Sequence, residues 1–483
     1  MARCSCGRLG WRFGLVAALA AFGLGGPSAY AQAAWERTRV IERADYADRL
    51  RAMWLGQVIA NWTGLRTEGA AIAPPFLTDA DWGQPFQGGA PLGFVFGQNP
   101  WGADDDTDIE SVYLHLMHSL GTQRLTGEQL AEGWRRHVNR FIWVRARELM
   151  GRGVLPPSTS LASANVHWMQ IDAQLTTEFF GALAPGMPER ALDMADLPIR
   201  TTAANHAAHA SQFYVVLYSL ATQADRSLPM RDQLLWIYEK ALAFIPAESK
   251  AADVARLVRD DYLTNTDRDN WERTRDLVYQ RYQQNASTHG FMYRGWTESS
   301  VNFAGGLIAM LYGEGDFLRT VRIGTLSGWD SDNGTATMGG LLGLMLGHDE
   351  IVRQVRAQSP GQALSDQFWV ARTRDAMPDY VPGSSPADDT FALMADRCSA
   401  IAEREVIAAG GVVSGTGSTH TRWLLPPVVG YAQAGQLARP VEGTPTFLED
   451  QRSGNPVRAS RRGHGDGEQQ RQFQPPCACH HIW

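Results

Sequence analysis

The chain has 483 residues, of which 44% are hydrophobic and 20% are charged. This composition is close to the average of globular proteins and excludes disorder throughout, while the length allows one large domain with appendages or a few smaller domains. Lysine and arginine total 44 against 51 acidic residues, a net charge of −7, which gives no broad basic surface and disfavours nucleic-acid binding. Five cysteines exclude a disulfide-built scaffold.

The first 31 residues have the layout of a secretory signal peptide. Arginines precede the apolar stretch 15–24, and the small-residue site Ala29-Tyr30-Ala31 follows it. An apolar segment of about 12 residues is shorter than the roughly 20 that a transmembrane helix needs, so a stable membrane anchor is disfavoured. We therefore expect residues 1–31 to be removed and the mature protein to be periplasmic or secreted.

Helical periodicity dominates from residue 48 onward, because apolar residues recur at spacings of three and four and strand-like alternation is scarce. The sequence therefore predicts one all-α domain over residues 40–412. Residues 413–483 are rich in Gly, Gln, Arg and Pro and are expected to form a low-complexity, mostly disordered tail, with a short strand at 424–429. Individual helices are predicted between Pro229 and Pro246, after the cap Ser249, after residues 267–269, and from Asp389 to Gly410.

The densest chemical signal is the acidic turn Asp104-Asp105-Asp106-Thr107-Asp108, which leads into an amphipathic helix. Helix starts favour one or two acids, but a consecutive trio exceeds that preference. A second acidic turn, Asp330-Ser331-Asp332-Asn333, comes more than 200 residues later and also precedes a helical stretch. Carboxylate oxygens bind hard divalent cations. Two such turns at helix starts predict one shared metal centre, with room for two metals.

A calcium-binding EF-hand loop is the obvious alternative for either turn. It requires a glutamate at the twelfth position of the loop. Counting from Asp104 reaches His115, and counting from Asp330 reaches Leu341. The EF-hand interpretation is therefore disfavoured for both turns.

These two turns, in this order on an all-α chain, resemble the ADP-ribosylglycohydrolase family. In that family an early Thr-Asp-Asp-Thr turn and a late Gly-Gly-Asp-Thr-Asp-Thr turn hold a binuclear magnesium centre. A third family element, Gly-x-Ala-x-Gly-Asp-Ala-x-Gly followed by a glutamate, is similar to residues 56–64 followed by Glu68. The three elements span residues 45–350.

The resemblance implies a compact orthogonal multi-helix bundle with a binuclear metal site at helix N-termini. It also implies a hydrolase with two Mg²⁺, or Mn²⁺, that cleaves an N- or O-glycosidic bond to ribose or a related sugar by means of a Mg-activated water. The expected substrate is a small-molecule or protein-attached glycoside. Because the chain is expected to be exported, a non-nucleotide sugar is considered beside ADP-ribose.

The resemblance also implies roles for individual residues. Glu68 and Asp105 are the expected catalytic residues, with Glu68 as a candidate general base. Four further residues are expected behind the ligands or against the substrate: Asn61, Trp329, Asp172 and His206. The expected metal ligands are Asp104, Asp105, Asp106, Asp330, Asp332 and Asn333, with Ser331 as a lesser candidate.

Ordinary structural roles remain open for three of these residues. Glu68 could be a solvated loop glutamate, Asp172 a helix cap and His206 a core histidine with its hydrogen bonds satisfied. Departures from the family pattern are Asp104 for threonine, Asn61 for aspartate, Trp329 for glycine and Asn333 for threonine.

Two other functions are compatible with the sequence. One is a metal-independent all-α glycosidase that uses paired carboxylates such as Glu68 and an acid of the first turn. The other is a catalytically inactive relative that binds a ligand, for which Asn61 and Asn333 are the relevant evidence. Loss of activity on chelation separates the metal-dependent hydrolase from both.

Overall fold

The computed structural model describes residues 40–102, 104–138, 144–369, 389–417 and 420–426. These residues form fifteen α-helices and six short strands, which confirms the predicted all-α fold. The helices are α1 (Arg43–Gly64), α2 (Asp105–Ser119), α3 (Gly127–His137), α4 (Val144–Gly151), α5 (Phe179–Ala182), α6 (Pro188–Thr202), α7 (Asn205–Leu220), α8 (Met230–Phe244), α9 (Lys250–Thr264), α10 (Glu272–Val278), α11 (Ser299–Gly313), α12 (Phe317–Leu326), α13 (Ser331–Leu346), α14 (His348–Gln358) and α15 (Phe391–Ala408).

The strands form two small three-stranded sheets. They are β1 (Val40–Glu42), β2 (Trp101–Gly102), β3 (Gln367–Trp369), β4 (Asp389–Thr390), β5 (Val412–Ser414) and β6 (Arg422–Leu424). One sheet has the order β1-β6-β5 and is antiparallel, with Ile41 opposite Trp423 and Trp423 opposite Val413. In the other, β3 pairs with β2 in parallel and with β4 antiparallel. The second sheet matters for function because β2 leads toward the first acidic turn.

The centre of the fold is the packing of α1 against α13. Nearly every residue of α13 is buried, and α1 is buried from Ala52 to Ala60. Glycines allow this approach. A Cβ on Gly56 would lie 2.4 Å from the carbonyl oxygen of Gly339, and one on Gly343 would lie 2.1 Å from that of Ala52. The two backbones are thus in direct contact, and the second acidic turn at the start of α13 lies beside the end of α1.

The predicted helices agree with the structure. Pro229 immediately precedes α8, and Ser249 caps α9 by accepting a hydrogen bond from the backbone N–H of Ala252 at 3.1 Å. The helix predicted after residues 267–269 is α10, which continues as a π-helical segment over Tyr279–Gln284. The last predicted helix is α15, which ends just before Gly410 at a φ of +86°.

The packed structure continues past residue 412, where the sequence places the start of the tail. Trp423 of β6 is completely buried and forms an edge-to-face contact with Tyr46 of α1. The strand expected at 424–429 does not match the structure: β6 (Arg422–Leu424) shares only Leu424 with that range, and residues 425 and 426 are not in a strand. Residues 427–429 lie outside the described residues. The expected signal peptide and most of the expected tail lie outside them as well. Within the described residues, no helix combines the length and apolarity needed to cross a membrane.

Candidate metal centre

The first acidic turn forms the N-terminus of α2. Asp104 has an extended backbone and caps the helix, because its side chain accepts a hydrogen bond from the N–H of Asp105 at 3.0 Å. Asp104 and Asp106 are each 2% exposed, whereas Asp105 is half-buried. One oxygen from each of the three carboxylates lies within 4.8 Å of the others. The sequence trio is therefore also a cluster in space.

The second acidic turn forms the N-terminus of α13. Gly328 and Trp329 adopt positive φ angles of 93° and 54° immediately before Asp330. The N–H of Asp330 donates to Oδ1 of Asn302 at 3.0 Å, which fixes the turn to α11. Carboxylate oxygens of Glu68, Asp330 and Asp332 lie within 4.8 Å of one another. Glu68, predicted from a separate motif, thus joins the second turn.

Asn61 connects the two turns. Its Nδ2 donates to Oδ2 of Asp106 at 2.8 Å and to Oδ2 of Asp332 at 3.3 Å. Asn61 is 1% exposed and lies in the last turn of α1, where the glycine contacts hold α1 against α13. An amide that donates to two carboxylates orients both of them. The structure therefore brings together residues that lie more than 200 positions apart in the chain.

Asn333 also faces the first turn, through its amide nitrogen. Its Nδ2 lies 3.5 Å from Oδ1 of Asp106, and its Oδ1 accepts a hydrogen bond from Gln174 at 3.2 Å. Gln174 in turn accepts a hydrogen bond from the hydroxyl of Ser299. In this orientation the oxygen of Asn333 is directed to Gln174. Asn333 can bind a metal through oxygen only if the amide rotates and exchanges these partners.

Burial and neighbouring negative charge raise the pKa values of two acids of the centre, Asp106 and Asp330. The pKa of Asp106 is well above its ordinary value because of burial first, then because of the charges of Asp332, Asp105 and Asp104. The pKa of Asp330 is raised by burial, by Asp332 and by Glu68. Buried carboxylates that repel one another favour either protons or a bound cation. Oxygen-only clusters of this kind suit Mg²⁺ and Mn²⁺.

Trp329 holds the Glu68 loop and offers no surface to a substrate. It is completely buried, packs on Phe76, and donates from its indole N–H to Gln283 at 2.6 Å. Its carbonyl accepts from the N–H of Gly69 at 2.8 Å, and its N–H donates to the carbonyl of Ala71 at 3.0 Å. Of the two positions expected for Trp329, its complete burial fits the one behind the ligands, and its main chain holds the segment that follows Glu68.

The structure places His206 and Asp172, two of the residues expected near the ligands or the substrate, in separate surroundings. His206 is buried, and its Nε2 lies 3.0 Å from Oε1 of Glu298, the residue that caps α11. This pairing fits the satisfied core histidine. Asp172 lies in the 3₁₀ turn Ile171–Ala173, and burial raises its pKa well above the ordinary value. Two residues after Asp172, Gln174 donates a hydrogen bond to Asn333 at the start of α13.

A buried polar group behind the first turn was not found by sequence reasoning. Gln57 donates from Nε2 to the carbonyl of Asp106 at 3.2 Å and to Oε2 of Glu110 at 2.9 Å. Glu110 and Glu178 are both buried, and burial raises the pKa of Glu178 to about 8. Helical spacing could have indicated both residues. Gln57 lies four positions before Asn61 and Glu110 four positions after Asp106, and residues four apart lie on the same face of a helix.

Comparison with known proteins gives a family. The model of the ADP-ribosylglycohydrolase family matches residues 42–379. Among solved structures, the chain is similar to an ADP-ribosylglycohydrolase-related protein complex, with 18% sequence identity and a TM-score of 0.45, over 75% of this chain and 99% of that chain. No match was found among curated proteins. Because the family match extends over well more than half of the sequence, the chain belongs to the ADP-ribosylglycohydrolase family.

Proposed function

We propose that this chain is a metal-dependent glycoside hydrolase that cleaves an N- or O-glycosidic bond to ribose or a related sugar. Membership of the ADP-ribosylglycohydrolase family supports a hydrolase. The observation that carries the proposal is the double hydrogen bond of Asn61 to Asp106 and Asp332, because it brings the two acidic turns to one place. The substrate is a small-molecule or protein-attached glycoside.

The residues present fit a pair of divalent cations. There are two groups of three carboxylates, and in each group the oxygens approach within 4.8 Å. Burial and mutual repulsion raise the pKa values of Asp106 and Asp330, and a bound cation reverses that effect. The family is metal-dependent. We propose that two Mg²⁺ or Mn²⁺ are held by Asp104, Asp105, Asp106, Glu68, Asp330 and Asp332, with Asn333 as a further ligand after rotation of its amide.

The chain's own residues divide the work of hydrolysis. When bound, divalent cations supply positive charge that acidifies water and stabilises negative charge on oxygen. Glu68 is exposed at the solvent edge of its group, so its carboxylate can hold a water molecule and accept its proton. Asp105, the least buried acid of the first turn, is the second carboxylate within reach of a substrate. Asn61 keeps Asp106 and Asp332 oriented.

Export remains part of the proposal. Residues 1–31 lie outside the described residues, and their sequence predicts a signal peptide. A periplasmic or secreted hydrolase meets glycosides outside the cytoplasm. The substrate panel therefore includes neutral sugars and nucleosides as well as ADP-ribosylated peptides.

Chelation and reconstitution test this function. Purified protein is treated with EDTA, assayed on the panel, and assayed again after Mg²⁺ or Mn²⁺ is added. We expect cleavage to disappear and to return with metal. Glu68→Gln should lower the rate by about 10²-fold or more, since a general base contributes that much. Glu128→Gln, an exposed acid in the first turn of α3, is the matched control and should keep full activity.

The other outcomes identify the alternatives. Cleavage that survives exhaustive chelation would show a metal-independent glycosidase. Binding of Mn²⁺ without cleavage of any panel member would instead favour an inactive ligand-binding relative.

A further inference from the structure

Two buried glutamates meet behind the first acidic turn. Glu110 lies one helical turn after Asp106 on α2, and Glu178 immediately precedes α5. Neither is more than 1% exposed. Oε1 of Glu110 accepts from the N–H of Phe179 at 3.2 Å, and Oε1 of Glu178 accepts from the hydroxyl of Thr337 at 3.0 Å. Glu110 thus contacts the residue next to Glu178, and Oε2 of Glu178 is buried with no hydrogen-bond partner among the described residues.

Within the described part of the chain, no lysine, arginine or histidine forms an ion pair with either glutamate. Ionisable groups that interact with the charge of the pair are Asp106 on α2, Tyr214 and Tyr218 on α7, and Cys398 on α15. All are acidic or neutral at neutral pH. Burial raises the pKa of both glutamates, and the negative charge of Glu178 raises that of Glu110 further. Two neighbouring carboxyl groups in a buried site cannot both ionise without a large cost, and a buried carboxylate oxygen without a donor favours the protonated form, so one proton between them is favoured.

The hydrogen bonds of the pair lead to both acidic turns. Gln57 of α1 donates to Glu110 and also to the carbonyl of Asp106, so it joins the pair to the start of α2. Thr337 joins Glu178 to α13, whose first turn carries Asp332. Because Glu110 binds the N–H of Phe179, the residue that follows Glu178, these hydrogen bonds connect one acidic helix to the other. Asn61, one turn after Gln57 on α1, spans the same two helices at the centre itself.

We propose that Glu110 and Glu178 share one proton and act as a positioning pair, which holds the two acidic turns at the separation that metal binding requires. This inference rests on the proposed metal centre. Ionisation of both groups at high pH forces the carboxylates apart and weakens the hold of Gln57 on Asp106. Metal affinity should then fall at alkaline pH because the pair separates, in addition to any effect on the ligands.

The shared proton is tested without metal. Infrared spectra of the EDTA-treated wild type at neutral pH should contain the carbonyl band of a buried protonated carboxyl group. The spectrum of Glu178→Gln should lack this band, because the new amide donates a hydrogen bond to Glu110 and no proton is needed. The difference between the two spectra therefore isolates the band of the pair. If the spectra at neutral pH contain no such band, both groups are ionised and the proposal is wrong.

The positioning role is tested by Mn²⁺ titration calorimetry. Glu178→Ala removes the link to Thr337 and should lower Mn²⁺ affinity about 10-fold or more, as loss of a residue behind metal ligands typically does. Glu178→Gln should restore near wild-type affinity and should lose less affinity than the wild type above pH 8. Asp261→Asn is the control. Asp261 is a buried acid of α9 that accepts a hydrogen bond from the hydroxyl of Thr274, and α9 carries none of the proposed metal ligands.

If Glu178→Ala does not fold, Thr337→Val tests the same link by removing only the hydroxyl donor, and it should also lower affinity. The positioning role would be overturned if whichever of Glu178→Ala and Thr337→Val folds binds Mn²⁺ as tightly as the wild type at all pH values. A wild type that binds no Mn²⁺ would instead refute the proposed metal centre. The infrared result would still decide whether the proton is shared.

Discussion

Substituting Gly339 by alanine should weaken both the fold and the metal centre. Gly339 lies on α13 against α1, where an added Cβ would be 2.4 Å from the Cβ of Ala60 and 2.5 Å from the carbonyl oxygen of Gly56. Comfortable contacts between such atoms are about 3.5 Å or more. The two helices must therefore separate locally by about 1 Å.

That separation acts on a hydrogen bond of the centre. Asn61 follows Ala60 and donates to Asp332 at 3.3 Å, so a further 1 Å takes this contact beyond hydrogen-bonding distance. Overpacking of a buried contact costs about 1 to 3 kcal/mol, and here a rigid backbone leaves little room for relaxation. We expect a lower melting temperature in the metal-free protein and a Mn²⁺ affinity reduced about 10-fold.

Thermal unfolding in EDTA and Mn²⁺ titration calorimetry measure the two effects separately. Gly151→Ala is the matched control, because Gly151 ends α4 and an added Cβ there meets no atom within 4 Å. The control should change stability by less than about 0.5 kcal/mol and leave metal binding intact. A Gly339→Ala protein that melts like the wild type and binds Mn²⁺ as tightly would refute the direct contact between α1 and α13.

Three further predictions follow from the structure. Asp105→Asn and Asp332→Asn, measured by calorimetry, should each abolish Mn²⁺ binding, and binding retained in both would contradict a shared centre. Asn61→Ala should lower Mn²⁺ affinity about 10-fold, whereas Asn61→Asp should destabilise the metal-free protein by adding a buried charge and recover stability when Mn²⁺ is added. An Asn61→Asp protein as stable as the wild type in EDTA would contradict this. His209 lies on α7, three positions after His206. Burial lowers the pKa of His209 to about 4, so the stability that the neutral ring contributes is present above pH 6.5 and is lost as the pH falls toward 4. His209→Gln should therefore lose less stability than the wild type in melting scans across that range, by up to about 3 kcal/mol; parallel losses would exclude this origin.

Local signals in the sequence were sufficient for the helices and for the clustering of acids at each helix start. Ser249 caps α9 and Asp104 caps α2, because short polar side chains satisfy the free N–H groups of a helix start. A run of three acids at such a start also predicts a site for a cation. These features depend on neighbours in the chain, which a sequence displays directly.

Contacts made by segments outside the recognised motifs could not be predicted from the sequence. Gln174 and Asn302 reach the centre from a 3₁₀ turn and from α11, and neither belongs to a motif. Trp329 occupies a motif position, yet its ring packs on Phe76 and away from any substrate surface. The short strands escape periodicity analysis because two or three residues cannot show an alternation.

Anomalous diffraction from Mn²⁺-soaked crystals shows whether the two acidic turns form one metal centre. We expect anomalous peaks between the turns, with carboxylate oxygens from both the Asp104 to Asp106 group and the Glu68, Asp330 and Asp332 group at coordination distance, about 2.0 to 2.5 Å. Peaks that contact only one turn, or no peak at either turn under saturating Mn²⁺, would contradict it.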